Sequence, residues 1–426
     1  MGAEEHAPTL PAMKAPLATR LGPLTERDYR LLFSATTVTT LGDALAAIAL
    51  AFAVLEVGTA AGLGIVLAAR QGVEVLVLVF GAVLSDRIPR NLVLVGASLV
   101  QATAQAGTGA LVLSGDASIA KIAALQALYG LGQGFVWPAE IGLVPETVSP
   151  SRLQQANAFQ GLSRSMTEML GPAVGGALVV AGSPGLALLA DAASFLVAAV
   201  MLSRIRLRNR VAPIAGPRYL SSLREGWREF VSKAWLWPSV LCFSVTTFAY
   251  AAWLVLGPVV AKDQLGGAGA WAVILSSAGA GAVVGGVVAL RYRPERPLVA
   301  SIVAVLFATP EIATLALGAP VWLIASVSFV GGIGLAVHIA LWFTVFQQEV
   351  ADDVRSRVSS YDALGSLMMM PIGFAVAGPT AAAIGTAATL WGILALELTS
   401  LLAVLAIPAV WRIRRAHPGA TAAADV

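Results

Sequence analysis

The chain has 426 residues, 58% hydrophobic and only 12% charged, with a formal net charge of +3. Soluble domains carry about 25% charged residues, so this composition excludes a water-soluble globular protein. It also leaves no segment for a soluble domain of ordinary size. A single cysteine, Cys242, excludes an internal disulfide.

Residues 1–27 hold Glu4, Glu5, Lys14, Arg20 and four prolines, without the apolar core of a signal peptide. They read as a disordered cytosolic tail. A spanning helix needs about 20 mostly apolar residues. Twelve such stretches follow, at 31–55, 63–84, 92–113, 119–143, 156–180, 186–202, 237–260, 271–290, 298–317, 321–346, 363–384 and 387–410. The expected fold is therefore all-α and integral to the membrane.

An ionisable side chain inside such a stretch costs about 2.5–3.5 kcal/mol on insertion scales, which makes each one a candidate functional group. The first stretch carries Asp43 near its middle, either a proton-carrying carboxylate or a hydrogen-bonded structural acid. The second carries Arg70 and Glu74, four apart on one helical face, where they can form a structural pair, a gate or a substrate contact. After it comes a charged turn, Gly81 to Arg90, containing Asp86 and Arg87. The fourth stretch contains Gly130, Gly132 and Gly134, suited to close helix packing, and Glu140 toward its end. The fifth contains Arg164 and Glu168, again four apart, just before Gly171, Pro172, Gly175 and Gly176. Asp191, on the sixth, reads as structural.

The link from 205 to 235 divides the chain into a first bundle, 28–204, and a second, 236–412, with a tail at 413–426. Within the link, Leu220, Leu223, Trp227, Phe230 and Val231 recur at helical spacing, predicting an amphipathic helix on the membrane surface. In the second bundle, His338 is a lone mid-stretch histidine, either a coupling group or a hydrogen-bonded helix contact. The sequence offers no account of Glu311 and Glu397. Aromatic residues Phe243, Phe248, Tyr250 and Trp253, with Phe135, Trp137 and Met368 to Met370, would suit a bulky, partly apolar substrate if they face a cavity.

The halves echo one another. Gly81–Arg90 returns as Gly286–Arg296, Glu146–Arg152 as Glu349–Arg355, and Gly171-Pro172 as Gly378-Pro379. Two similar membrane-threaded halves are the signature of a transporter built from repeats. Of the 27 basic residues, 23 fall in the tails and even-numbered links, against Lys121 and Lys262 on the other face. The positive-inside rule then places both termini in the cytoplasm. The same placement assigns the basic charge to the membrane rim, with no nucleic-acid partner. No Gly-Lys-Ser or Gly-Lys-Thr occurs, so there is no Walker A lysine and no ATP-driven pumping. No catalytic group, cofactor or metal site is expected. Arginine-rich, alanine-rich and glycine-rich usage suggests a bacterial inner or plasma membrane.

The turn with Gly81, Asp86, Arg87 and Arg90 resembles the signature loop of the major facilitator superfamily. Gly171-Pro172 to Gly176 resembles the antiporter motif on the fifth helix of its exporters. Arg30 to Phe33 with Leu41-Gly42-Asp43, Trp137 to Ala158, and Asp191 to Phe195 are similar to the drug:proton antiporter branch that includes macrolide and enterobactin exporters. The likeness runs from residue 27 to about 410. It implies twelve helices in two six-helix pseudo-repeats, a monomer, and alternating access driven by the proton gradient. It further implies secondary export of amphipathic small molecules, drug-like or natural products. Siderophore or dedicated metabolite export, nutrient import and a non-transporting sensor are the alternatives. Asp86 and Arg87 would latch the cytoplasmic side against the region of Arg355 and Arg357. Three departures stand out: Gly130 occupies the position of an arginine common in proton-coupled exporters, Ala82 and Pro89 replace loop glycines, and Arg291 replaces the acid in the second copy.

Overall fold

The computed structural model describes residues 22–80, 88–207 and 219–415, and the described residues are overwhelmingly helical. The first bundle consists of α1 (Arg27–Val57), α2 (Ala60–Phe80), α3 (Arg90–Leu113), α4 (Ile119–Thr147), α5 (Leu153–Ala181) and α6 (Pro184–Ser203). A linker helix follows, α7 (Tyr219–Ser232). The second bundle consists of α8 (Leu236–Val260), α9 (Ala268–Arg291), α10 (Pro297–Val305) with α11 (Thr309–Ala316), α12 (Val321–Glu349), α13 (Asp352–Ile384) and α14 (Thr386–Leu405). A short α15 (Pro408–Arg412) ends the described chain. Twelve spans result once α10 and α11 are counted as one, as the apolar pattern predicts.

Among the described residues nine spans are long and apolar enough to cross a membrane by composition alone. The three that fall short are α3, α4 and α5, whose buried or cavity-facing glutamines and charges dilute their hydropathy. Those polar positions build much of the site below. The eleventh span begins at Asp352, well before the expected 363, because polar residues of its first turns still pack as helix against α7. The ninth span breaks at Leu306 to Ala308. Pro310, in the first turn of α11, cannot donate a backbone hydrogen bond to the preceding turn. Glu311 sits in that same first turn, where the positive end of the new helix favours a carboxylate. Its carboxylate lies against Gly331 of α12, a position where any Cβ would collide with it. This supplies the reason for Glu311 that the sequence did not.

The last residues of the expected tail are ordered. Gly22–Thr25 forms a helical turn pinned by Arg152, whose guanidinium donates to the Gly22 carbonyl at 3.0 Å and to Thr25 Oγ1 at 2.7 Å. Glu26 then accepts from Ser149 Oγ at 2.7 Å. The linker helix is present, but only part of its expected apolar face is described. Phe230 is buried and stacks near Tyr361 of α13 with centroids 5.9 Å apart, while Trp227 and Val231 stay exposed.

Among the described residues the two bundles share a core at one end only. A single apolar cluster joins Ala46 to Leu55, Leu63 and Val66 of the first half to Ala249 to Leu256, Ile274 and Phe374 of the second. This is the end away from the termini. At the other end each half has a separate cluster, one around Tyr29, Leu143 and Leu202, the other around Trp235, Trp342 and Leu401. Lipid tails are as apolar as leucine, so such a seam is held by close packing of small residues. Gly64 abuts the Phe374 carbonyl, Gly378 abuts Ala60 and Ala61, and Gly176 abuts Ala272. The Lys262 ammonium adds a hydrogen bond across the seam to the Leu55 carbonyl. The fold is thus closed at the end opposite its termini.

Candidate functional site

The centre of the first bundle holds a half-buried ionic cluster. Asp43 on α1 and Arg70 on α2 form an ion pair, with Nη2 and Oδ1 3.5 Å apart. Tyr129 on α4, wholly buried, donates its hydroxyl to Asp43. Its ring carries the Arg70 guanidinium 3.7 Å from the centroid, a cation–π contact. Phe195 of α6 packs edge-on against the other side of that ring. One tyrosine therefore holds both members of the pair, the acid through its hydroxyl and the base through its face.

Glycines make this approach possible. A Cβ at Gly130 would collide with the Arg70 carbonyl, and one at Gly134 would reach the Glu74 carbonyl at 2.8 Å. The residue that replaces the expected helix-four arginine thus lets α2 bring its own arginine against α4. Gly42, next to Asp43, faces α6 instead, where a Cβ would strike the Asp191 carboxylate. Asp191, wholly buried, accepts from Gln105 Nε2 at 2.6 Å and from Ser194 Oγ at 3.2 Å. Gln126 continues the chain, donating to Gln105 at 3.0 Å and to Thr108 at 3.2 Å. A polar network buried among five helices, α1, α2, α3, α4 and α6, surrounds the Gly42-Asp43 step. Such a network is rigid when satisfied, because each lost hydrogen bond inside it leaves a costly unpaired group.

Several sequence expectations change here. Arg70 pairs with Asp43 on a neighbouring helix and not with Glu74, since helical spacing permits the second pair but tertiary packing supplies the first. Arg164 and Glu168 do approach one another, Nε to Oε1 at 3.9 Å, and both remain exposed. His338 is a hydrogen-bonded helix contact. Its Nδ1 lies 2.9 Å from Ser301 Oγ on α10, and its ring packs on Phe243 at 4.5 Å, so it stands apart from the ionic cluster. Phe243 and Trp253 are core residues packed on Trp342 and Trp271, which removes them from a substrate-stacking surface. Tyr250 and Met368 are exposed. Gly81, Asp86 and Arg87 lie outside the described residues. Arg90 is described, and it pairs with Glu146 of α4 within its own half and donates to the Gly142 carbonyl at 2.9 Å.

A cavity of about 210 Å³ opens between α1, α4 and α5, toward the end that carries the termini. Thr36, Thr37 and Thr40, Glu140, Asn157, Gln160, Ser163 and Arg164 line it, with Phe33 as the aromatic wall. Glu140 therefore faces this space beside Thr36 and Arg164 instead of reaching for the membrane surface. Thr37 Oγ1 and Ser163 Oγ are 2.7 Å apart across it. The Gln160 amide nitrogen is buried without a partner among the described residues.

The helix-five motif ties these parts together. Gly171 abuts Ala44 and Gly175 abuts Leu45, the two residues that follow Asp43 on α1. Gly176, one position on, abuts Ala272 of α9 in the other half. All four motif residues are buried. One segment of α5 thus touches both the turn of α1 that carries Asp43 and α9 of the other half. Sequence reasoning missed Tyr129, Gln105 and Gln126. Their signal was present as polar side chains recurring within the third and fourth apolar stretches.

This geometry is that of a membrane transporter made of two helical bundles. The Major Facilitator Superfamily sequence profile matches residues 32–367, and the chain belongs to that family. It is a transporter and not an enzyme. No curated protein matches the sequence significantly. Among solved structures, a bacterial homologue of the iron transporter ferroportin in an inward-facing state is similar at TM-score 0.70 and 16% identity, covering 89% of this chain and 98% of that one. A bacterial homologue of the human lysosomal transporter Spinster, inward-facing and unoccupied, gives 0.68 and 15%, covering 92% and 99%. A D-xylose–proton symporter gives 0.68 and 12%, covering 90% and 98%. At these identities the likeness establishes the fold.

Proposed function

We propose that the protein is a proton-coupled secondary exporter of amphipathic small molecules, in the manner of the drug:proton antiporter branch. The observation that carries this reading is the Asp43–Arg70 ion pair, half-buried and held by the buried Tyr129, one helical step from the Gly171–Gly176 seam motif. With both termini in the cytoplasm of a bacterial cell, the seam described above closes the outer side, and the structure corresponds to an inward-facing state. Substrate enters the threonine-lined and amide-lined cavity, whose Glu140 and Arg164 suit a polar face on an otherwise apolar molecule. Protonation of Asp43 weakens its attraction for Arg70 and frees the Tyr129 hydroxyl. The α1 turn against Gly171 and Gly175 can then shift, and the halves rock about the α5–α9 and α2–α13 contacts. A proton crossing the membrane supplies about 2.3 kcal/mol per 100 mV, enough for roughly fifty-fold accumulation. Working as a monomer, the protein needs no ATP and no cofactor under this scheme.

The test is transport in proteoliposomes under an imposed pH gradient, with a panel of dyes, macrolides and siderophores. Wild type is expected to concentrate a substrate against its gradient. Asp43→Asn should bind that substrate and exchange it downhill, yet lose gradient-driven accumulation. Undiminished uphill transport by Asp43→Asn would show that Asp43 is structural.

A further inference from the structure

A second cavity, about 280 Å³, lies in the other half at the end bearing the termini, between the ends of α9, α10 and α12. Two arginines converge on it from separate segments, Arg293 from the α9–α10 link and Arg415 after α15. The chain fixes their convergence. The Arg415 backbone N–H donates to the Glu295 carbonyl at 2.9 Å, and the Arg296 guanidinium sits 5.2 Å from the centre of the Trp411 ring, drawing the end of the chain onto the link. Thr344, Gln348 and Tyr292 supply neutral hydrogen-bonding groups, and among the described residues no carboxylate lines the space. Among the described residues neither arginine lies within ion-pair distance of an acid. Two guanidiniums and neutral donors, with no acid between them, are the chemistry of a phosphate site.

The walls beside the cavity identify its source. The same ends of α9 and α12 expose Val287 and Leu290, Ile339 and Phe343, with Leu290 76% exposed. A free phosphate has no use for an apolar wall, whereas a phospholipid has a phosphate and acyl chains that extend along one. Basic pockets between helix ends at a membrane surface hold anionic headgroups. We infer that Arg293 and Arg415 form a binding site for the phosphate of an anionic phospholipid, seated between α9 and α12. Because α9 is also the partner of α5 across the seam, a lipid held there would bear on the helix that must move during transport. The site does not depend on the substrate or on proton coupling.

The experiment uses the full-length protein, delipidated in detergent and offered phosphatidylglycerol or phosphatidylcholine, with retained lipid counted by native mass spectrometry. Each arginine near an anionic lipid favours binding about five-fold. Wild type should therefore prefer phosphatidylglycerol by roughly thirty-fold. Arg293→Gln with Arg415→Gln should bring this to within about three-fold of parity. Arg204→Gln with Arg206→Gln, on the other half, should leave the preference unchanged. Equal retention of the two lipids by wild type would overturn the proposal without any variant having to fold. So would an unchanged preference in a monodisperse Arg293→Gln, Arg415→Gln protein, or loss of preference in the Arg204→Gln, Arg206→Gln control. Displacement of phosphatidylglycerol by millimolar inorganic phosphate alone would make the ligand a free anion and overturn the lipid assignment.

Discussion

Tyr129 is the side chain on which the ionic cluster turns, because its hydroxyl and its ring serve opposite charges. Removing the hydroxyl alone separates the two roles. Tyr129→Phe keeps the ring beneath Arg70 but leaves Asp43 without its buried donor, an interaction of about 1.5–3 kcal/mol for a charged acceptor. The expected result is a folded protein whose gradient-driven transport falls at least ten-fold and shifts in pH dependence, measured in proteoliposomes. Transport with an unaltered pH profile in Tyr129→Phe would assign the tyrosine to packing. Gly130 can be tested in the opposite sense. A methyl group there meets the Arg70 carbonyl, backbone that cannot swing aside, so Gly130→Ala should destabilise by about 1–3 kcal/mol, as overpacked cores do. Its unfolding temperature in detergent should drop, and an unchanged value would mean that α2 and α4 sit further apart than described. Asp43 and Arg70 were legible in the sequence because a charge in an apolar stretch is costly and so conspicuous. Tyr129, Gln105 and Gln126 were not, since uncharged polar residues carry a far smaller insertion penalty. Their importance comes only from which helices meet.

At the scale of elements, glycine placement decides where helices touch and therefore where they can part. On α5 the motif faces α1 with Gly171 and Gly175 and α9 with Gly176. On α13 the repeated Gly378 faces the start of α2. The sequence repeat located both glycines but could not say which neighbour each one meets, because a helix period gives a face and not its partner. The broken ninth span shows the same limit. The apolar pattern gave 298–317 as one stretch, and the use of Gly331 to seat Glu311 depends on α12 lying alongside. Since α2 and α13 approach to backbone distance at such glycines, Gly378→Val should wedge the seam apart at the end away from the termini. Wedging there favours the state open on that side. A cysteine placed at Ala60 in a Cys242→Ser background should then react with a membrane-impermeant thiol reagent from outside the cell at least several-fold faster when Gly378→Val is present. Equal or slower reaction would place the moving contact elsewhere.

The whole molecule is arranged as two bundles that share a core at one end, so its mechanism depends on which side of the membrane that end faces. The distribution of charge carries that asymmetry. Arg204 and Arg206 after α6, Arg291, Arg293 and Arg296 after α9, Arg355 and Arg357 in the first turns of α13, and Arg412 to Arg415 after α14 all fall at the end with the termini. The far end carries Lys121 and Lys262. Lys121 is paired with Asp116 at 2.9 Å, which offsets its charge, and Lys262 donates to the Leu55 carbonyl across the seam. From the retention of basic loops on the cytoplasmic side we propose that the sealed end faces outside. A cysteine at Ala420 in a Cys242→Ser background should resist an impermeant thiol reagent in intact cells and react after permeabilisation. A cysteine at Ser114, in the α3–α4 link of the far end, should do the reverse and label in intact cells. If Ala420→Cys labels from outside and Ser114→Cys does not, the protein is inverted. The sealed end would then face the cytoplasm, the threonine-lined cavity would open outward, and the same geometry would describe an importer awaiting its substrate.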